Sequence, residues 1–186
     1  MLREAKKLTS SEWHEKTEVK KGDYAEMIVD EYLRGKGIIP YFPDFDGAHP
    51  FDRLCATQNK RYMCIVDVKA KARRSFYPDT GINKKAFDEY KFIQDKYAID
   101  VWLFFVDEGE RSIYGHKLDT LNEFRLIENG KKTLTYPLLQ VNKNRTTEIY
   151  FPLACMKTIH TLTDKDVAIL KNHSTRNYDY HGVANA

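Results

Sequence analysis

The stretch Tyr62 to Ala70 (YMCIVDVKA) narrows the fold of this chain more than any other. Alternate side chains of a strand point to opposite faces. Met63, Ile65, Asp67 and Lys69 then share one face, and Cys64, Val66, Val68 and Ala70 share the other. The second face is apolar throughout, and the first is apolar until Asp67. Such a segment is buried on both sides and turns charged only near its end, which sets a carboxylate and an ammonium at the margin of a sheet. Two residues apart, Asp67 and Lys69 point the same way, with Cα atoms roughly 6.6–7 Å apart.

The flanking text supplies the layers that cover this strand. From about Glu18 to Lys36, Ala25, Ile28, Val29, Tyr32 and Leu33 make one helical stripe, closed by Gly35 and Gly37. Ile38 to Phe42 reads as a first strand, Pro43 and Gly47 as a turn, Phe51 to Thr57 as a second strand, and Gln58-Asn59-Lys60 as a polar turn. A loop with Pro78 and Gly81 leads into a second helix over Asn83 to Tyr97, whose stripe is Ala86, Phe87, Tyr90, Ile93 and Tyr97. Ile99 to Val106 is the most apolar run and predicts a central strand. Helix, three strands, helix, strand implies an α/β (α+β) core with a mixed sheet.

Beyond Asp107, Ser112–Leu118, Thr133–Val141 and Glu148–Phe151 read as strands separated by turns at Glu128-Asn129-Gly130 and Asn142-Lys143-Asn144-Arg145. Thr163 caps a final helix that runs to about Asn172, with Asp166 at N3 and Leu162 stapled onto Val167. Residues 1–18 are polar apart from Trp13 and read as a loose arm or a short docking helix. With 186 residues and no repeat or linker, 1–186 reads as a single domain, 19–107 as its core and 108–186 as a C-terminal elaboration.

Composition excludes several classes. Hydrophobic residues at 42% argue against a disordered chain. Cys55, Cys64 and Cys155 lack both an even number and metal-ligand spacing, so neither a disulfide framework nor a zinc ribbon is expected, and a reducing cytoplasmic setting fits. No apolar run approaches the roughly 18 residues of a membrane span. A net charge of +3 permits nucleic-acid binding without arguing for it.

Asp52 lies fifteen residues before Asp67, at the start of the preceding strand. If those two strands form a hairpin, Asp52 comes beside Asp67. Crowded carboxylates repel unless a cation sits between them. Asp oxygens suit Mg²⁺, with Mn²⁺ as a substitute; the ion keeps several waters and accepts phosphate oxygens. Lys69 is then placed to orient an attacking water or to stabilise pentavalent charge. Glu26 lies at the edge of the first helix stripe, roughly 60° from Val29, as an outer or further metal ligand. The bland reading of Asp67 and Lys69 is a strand-end ion pair worth ~0–1 kcal/mol.

Glu26 on a helix, then Pro50-Phe51-Asp52, then Asp67-Val68-Lys69, then a helix and an apolar strand, resembles the PD-(D/E)XK nuclease superfamily, which includes restriction endonucleases, phage exonucleases and archaeal Holliday-junction resolvases. The resemblance spans roughly residues 19–107. It implies a restriction-endonuclease-like αβββαβ core and Mg²⁺-dependent hydrolysis of phosphodiesters, with Asp52 and Asp67 as metal ligands, the Val68 carbonyl as a further ligand, Lys69 as the family lysine and Glu26 as its helix acid. Phe51 separates Pro50 from Asp52, so the literal Pro-Asp dipeptide is missing. The polar residue that many members carry on the second helix is left open among Lys84, Lys85 and Lys91.

Lys71, Arg73 and Arg74, with Phe76 and Tyr77 just beyond, extend the charged strand into a basic run. Beside a metal site this run, with Lys84 and Lys85, is expected to contact nucleic-acid phosphates. His49 lies near Asp52, and His160, His173 and His181 show no ligand spacing. The leading expectation is a DNA-directed nuclease of phage or mobile-element type, with dimerisation through the later hairpins and final helix left open. The alternative is a catalytically silent nucleic-acid- or partner-binding domain on the same fold.

Overall fold

The computed structural model describes residues 16–42, 50–59, 61–142 and 145–175. Trp13 and most of the expected N-terminal arm, Pro43, Gly47, His49, Lys60, Lys143, Asn144 and His181 lie outside the described residues.

Helix α1 (Thr17–Gly35) buries Ala25, Ile28, Val29 and Leu33, the expected stripe. Three antiparallel strands follow: β1 (Ile38–Tyr41), β2 (Arg53–Thr57) and β3 (Met63–Lys69). Between β3 and its parallel neighbour β5 (Asp100–Asp107) the chain makes a crossover through β4 (Asp79–Asn83) and helix α2 (Lys84–Tyr97). Strand β6 (Ser112–Lys117) leads into the short helix α3 (Leu118–Leu121). Then come the hairpin β7 (Arg125–Asn129) and β8 (Lys132–Tyr136), followed by β9 (Leu138–Val141), β10 (Thr147–Pro152), β11 (Lys157–Thr161) and helix α4 (Asp164–Asn172). The main sheet is mixed and six-stranded, ordered β1-β2-β3-β5-β6-β11; a second sheet is ordered β4-β10-β9.

Strand β3 distributes its side chains to two cores, as its alternation requires. Cys64, Val66 and Val68 face α1 and α4, together with Cys55, Phe104, Val106, Leu162, Val167 and Leu170. Ile65 faces the other layer, where Phe87 and Tyr90 of α2, Leu118 and Leu121 of α3, and Ile82, Ile149 and Phe151 of the second sheet pack on β5. Each such side chain, fully buried, contributes about 1.5–3 kcal/mol relative to exposure. α4 begins with the expected capping box between Thr163 and Asp166.

The structure corrects several boundaries. The residues around Pro78 and Gly81, expected as a loop, include strand β4. Gly81 is there because β10 crosses very close: a Cβ would lie 2.2 Å from the Ile149 carbonyl oxygen. The single strand expected over Thr133–Val141 is two, β8 and β9, in different sheets. β7, α3 and β11 had no counterpart in the sequence reading. The second strand begins at Arg53 rather than Phe51, which leaves Asp52 at the sheet margin. Among the described residues no helix is long and apolar enough to cross a membrane.

Candidate active site

In the β2–β3 hairpin Arg53 pairs with Val66, and Leu54 with Ile65. Continuing that register by one residue sets Asp52 opposite Asp67. A hydrogen bond fixes the placement: the Val68 N–H donates to Asp52 Oδ2 at 2.7 Å. The hairpin therefore brings together the two aspartates that lie fifteen residues apart in sequence.

Asp67 is only 1% exposed. The Tyr90 hydroxyl of α2 donates to its Oδ1 at 2.5 Å. Lys69 Nζ lies 2.7 Å from Oδ2. That contact is an ion pair without the alignment of a hydrogen bond, so Oδ2 is a buried oxygen with no hydrogen-bond partner. Burial pushes the Asp67 carboxyl up and the Asp52 charge adds to this; Lys69 and Tyr90 offset part of it, leaving a pKa of about 6. Burial alone would lower the Lys69 ammonium, yet Asp67, Asp52 and Glu26 together hold it above its ordinary value.

Glu26 reaches the same end of the sheet from α1. Burial and then the Asp52 charge raise its carboxyl to about 7, against the pull of Arg53. Arg53 Nη1 lies 3.0 Å from Glu26 Oε2. The four residues expected to gather, Glu26, Asp52, Asp67 and Lys69, thus influence one another electrostatically at one sheet margin.

Two participants escaped the sequence reading. Tyr90 was assigned to the apolar stripe of α2, and its ring is indeed buried, but its hydroxyl ends on Asp67. Lys84, Lys85 and Lys91, the residues left open on this helix, instead form ion pairs along or beside it. Arg53 adjoins Asp52 in sequence and looks like an ordinary strand-end charge. A usable signal was the pair Glu26 and Asp30, four apart on α1, which present two carboxylates on one helix face to a nearby cation.

The expected phosphate-binding residues are engaged within the protein. Lys71 pairs with Glu148 at 3.0 Å and Arg73 with Glu110. Arg74 forms a fork on Asp79 and lies over the Tyr77 and Tyr150 rings. Lys84 and Lys85 pair with Asp88 and Glu89 one turn along α2, and Lys91 with Asp95 and Asp119. Cys55 and Cys64 are buried and free.

Does this donor set suit a divalent cation? Among the described residues no three His, Cys, Asp or Glu side chains form a ready cage. Two carboxylates leave room for retained waters, which is the coordination Mg²⁺ prefers. Asp67 Oδ2 is a buried acceptor whose contact is the Lys69 ammonium. Among the described residues Arg53 pairs with Glu26 and Asp30, and Lys69 with Asp67, while Asp52 lies close enough to raise the carboxyls of both Glu26 and Asp67. Burial first, and the Asp52 charge after it, keeps the Asp67 and Glu26 carboxyls raised. The residues present fit a divalent ion.

No family model matches the chain, and no curated protein matches it. Among solved structures it is similar to Hjc, a Holliday junction resolvase from the archaeal hyperthermophile Archaeoglobus fulgidus, at 12% identity and a TM-score of 0.43, over 61% of this chain and 86% of that one. It is also similar to a nuclease from a fusselovirus, at 11% identity and a TM-score of 0.43, over 91% of this chain and 97% of that one. By its own element order the chain has the expected αβββαβ core on a mixed sheet, with β4 inserted before the second helix.

Proposed function

We propose that this chain is a Mg²⁺-dependent nuclease acting on DNA, with Asp52, Asp67 and the Val68 carbonyl as the metal-holding groups and Lys69 beside them. One observation supports this above the rest: two aspartates from neighbouring strands, a lysine and a helix glutamate converge at one sheet margin, where a buried Asp67 oxygen has no hydrogen-bond partner. A bound Mg²⁺ would supply Lewis-acid polarisation of a phosphodiester and acidify a water.

The protein's own groups do the rest. The Val68 N–H holds Asp52 in place through its Oδ2. Tyr90 occupies Oδ1 of Asp67, which leaves Oδ2 as the oxygen offered to the site. Lys69, whose side chain is 33% exposed, can turn from Asp67 toward a phosphate and keep its charge, since its neighbours raise its pKa. It orients the attacking water or stabilises charge on the pentavalent phosphorus. Lys71, Arg73, Lys84 and Lys85 would reach DNA phosphates by exchanging their present carboxylate partners for them, a modest cost for pairs that are partly or fully exposed; Arg74, held by the buried Asp79, would add its charge to the field without leaving that partner. Mn²⁺ would substitute for Mg²⁺.

The test is incubation of the wild-type chain, Asp67→Ala and Lys69→Ala with plasmid and branched DNA plus Mg²⁺. Cleavage by the wild type alone is the expected result; equal cleavage by all three removes the assigned roles. Calorimetric metal titration, with Asp52→Asn beside the wild type, separates this reading from that of a silent binding domain, which would take no metal.

A further inference from the structure

Arg53 is a buried cation, 7% exposed, whose surroundings are unusual for a strand end. Its Nε and Nη2 form a fork on the Asp30 carboxylate, at 3.0 and 2.9 Å for the closer contacts. Its Nη1 lies 3.0 Å from Glu26 Oε2 and donates at 2.7 Å to the main-chain carbonyl of Asp52. The Phe42 ring covers the guanidinium at 4.0 Å.

One planar, always-charged group thus touches α1 twice and the backbone of Asp52 once. Lysine lacks this reach, because a point ammonium cannot fork on one carboxylate while reaching a second acid and a carbonyl. Asp52 is consequently held from two sides, its carbonyl by Arg53 and its carboxylate by the Val68 N–H. Glu26, for its part, has one oxygen committed to Arg53.

We propose that Arg53 is a positioning residue for the metal site: it locks Asp52 and Glu26 into the arrangement that binds the ion, and Asp30 serves as its anchor. The inference rests on the metal-dependent reading above. Arg53 contacts neither the reacting phosphate nor the ion; it acts through the two acids.

The experiment is calorimetric titration of the full chain with Mg²⁺ and with Mn²⁺, well below the melting temperature of each variant. Arg53→Lys keeps the charge and loses the fork. Asp30→Asn keeps Arg53 and loosens its anchor, and it serves alone if Arg53→Lys does not fold. Asp79→Asn breaks a comparable buried pair in the second sheet, in contact with none of Glu26, Asp30, Asp52 or Arg53 by any hydrogen bond or ion pair among the described residues, and controls for general destabilisation. Supporting outcomes ordinary for a group behind a ligand are about tenfold or greater weakening in Arg53→Lys, a smaller weakening in Asp30→Asn, and wild-type affinity in Asp79→Asn. Unchanged affinity in both Arg53→Lys and Asp30→Asn overturns the inference and leaves the metal reading standing. Equal loss in Asp79→Asn also overturns it, because affinity would then merely follow stability. A wild-type chain that takes up neither ion removes the metal reading itself.

Discussion

Two aspartates in this protein share a description and differ in what is done with them. Asp67 and Asp79 are both buried to within 1% of full enclosure, each with a tyrosine hydroxyl and a basic side chain in contact. Around Asp79 every acceptor is used: Arg74 donates to Oδ1 at 2.6 Å and to Oδ2 at 2.5 Å, and the Tyr136 hydroxyl donates to Oδ2 at 2.6 Å. Around Asp67 the tyrosine takes Oδ1, the lysine contact is unaligned, Oδ2 has no hydrogen bond, and the charge of Asp52 lies close by. A buried carboxylate that is fully bonded fastens two elements together. One that is left half-bonded beside a second carboxylate is expensive to keep and is stabilised by a cation.

The sharpest way to break this comparison is to neutralise each aspartate. Asp67→Asn removes a strained charge, so without metal its melting temperature should equal or exceed that of the wild type, while DNA cleavage falls by roughly a hundredfold or more. Asp79→Asn should do the reverse. Breaking a buried pair and leaving Arg74 without its charged partner costs about 3–5 kcal/mol, and the folded fraction should still cleave. Thermal melts and single-turnover assays on the two variants decide it. Loss of stability in Asp67→Asn with retained cleavage would make the two sites alike.

Adding the ion is the next largest effect. Mg²⁺ at about one hundred times its Kd should stabilise the wild type by about 2.7 kcal/mol, a rise of roughly 5–10 °C in melting temperature for a chain of this size. Asp67→Asn should show no rise, whereas Asp79→Asn should show the full one from a lower start. A rise of equal size in Asp67→Asn would detach the ion from this carboxylate.

Much of this contrast was readable before any coordinates. The alternation in Tyr62–Ala70 has only one arrangement that buries both apolar faces, so the position of Asp67 and Lys69 at a margin followed from strand geometry alone. Asp52 followed on the condition that the two strands form a hairpin, which sets the start of one opposite the end of the other. Tyr90 was half legible: its spacing placed the ring in the core, but spacing says nothing about where a hydroxyl at the end of that ring lands. Arg53 was hidden because its partners come from α1, and the sequence gives no distance between a helix face and a strand it packs across. Strand β4 was hidden by Gly81, which reads as a breaker unless one knows that β10 passes within van der Waals contact of it. The Asp79 site was invisible because Asp79 lies on β4 and Tyr136 on β8 of the separate two-stranded sheet, far apart in sequence and joined only by the tertiary fold.

The pH dependence of stability tests the acids around Asp67. The carboxyls of Asp67 and Glu26 are raised from 3.8 and 4.5 to about 6 and about 7. The folded state then binds more protons than the unfolded chain between about pH 4 and 7. Their contribution to stability is present below the unfolded values and is lost as the pH rises through the folded ones. In the presence of a chelator the melting temperature should therefore drift down from pH 5 to 7.5, and Asp67→Asn should flatten the drift. With Mg²⁺ present the drift should reverse, because protons compete with the ion at low pH. A chelated wild type that becomes more stable over that range would contradict the burial of these acids beside Asp52.

The two tyrosines offer the finest test. Tyr136→Phe leaves Asp79 with both Arg74 contacts, so it should cost only about 1 kcal/mol, the value of one hydrogen bond among several. Tyr90→Phe leaves Asp67 with Lys69 alone. The loss of a bond to a charged group approaches about 1.5 kcal/mol or more, yet Asp67 has an escape: already raised to about 6, it can take up a proton. The stability cost should therefore be small at pH 5 and larger at pH 7.5, where the proton is scarce. Metal affinity should fall with it, because an unheld carboxylate must be reoriented before it can bind. Tyr136→Phe should show neither the pH dependence nor the affinity change. If the two phenylalanine variants behave alike in both measurements, the hydroxyl of Tyr90 is packing hardware and the difference between the two aspartates lies in Asp52 and Lys69 alone.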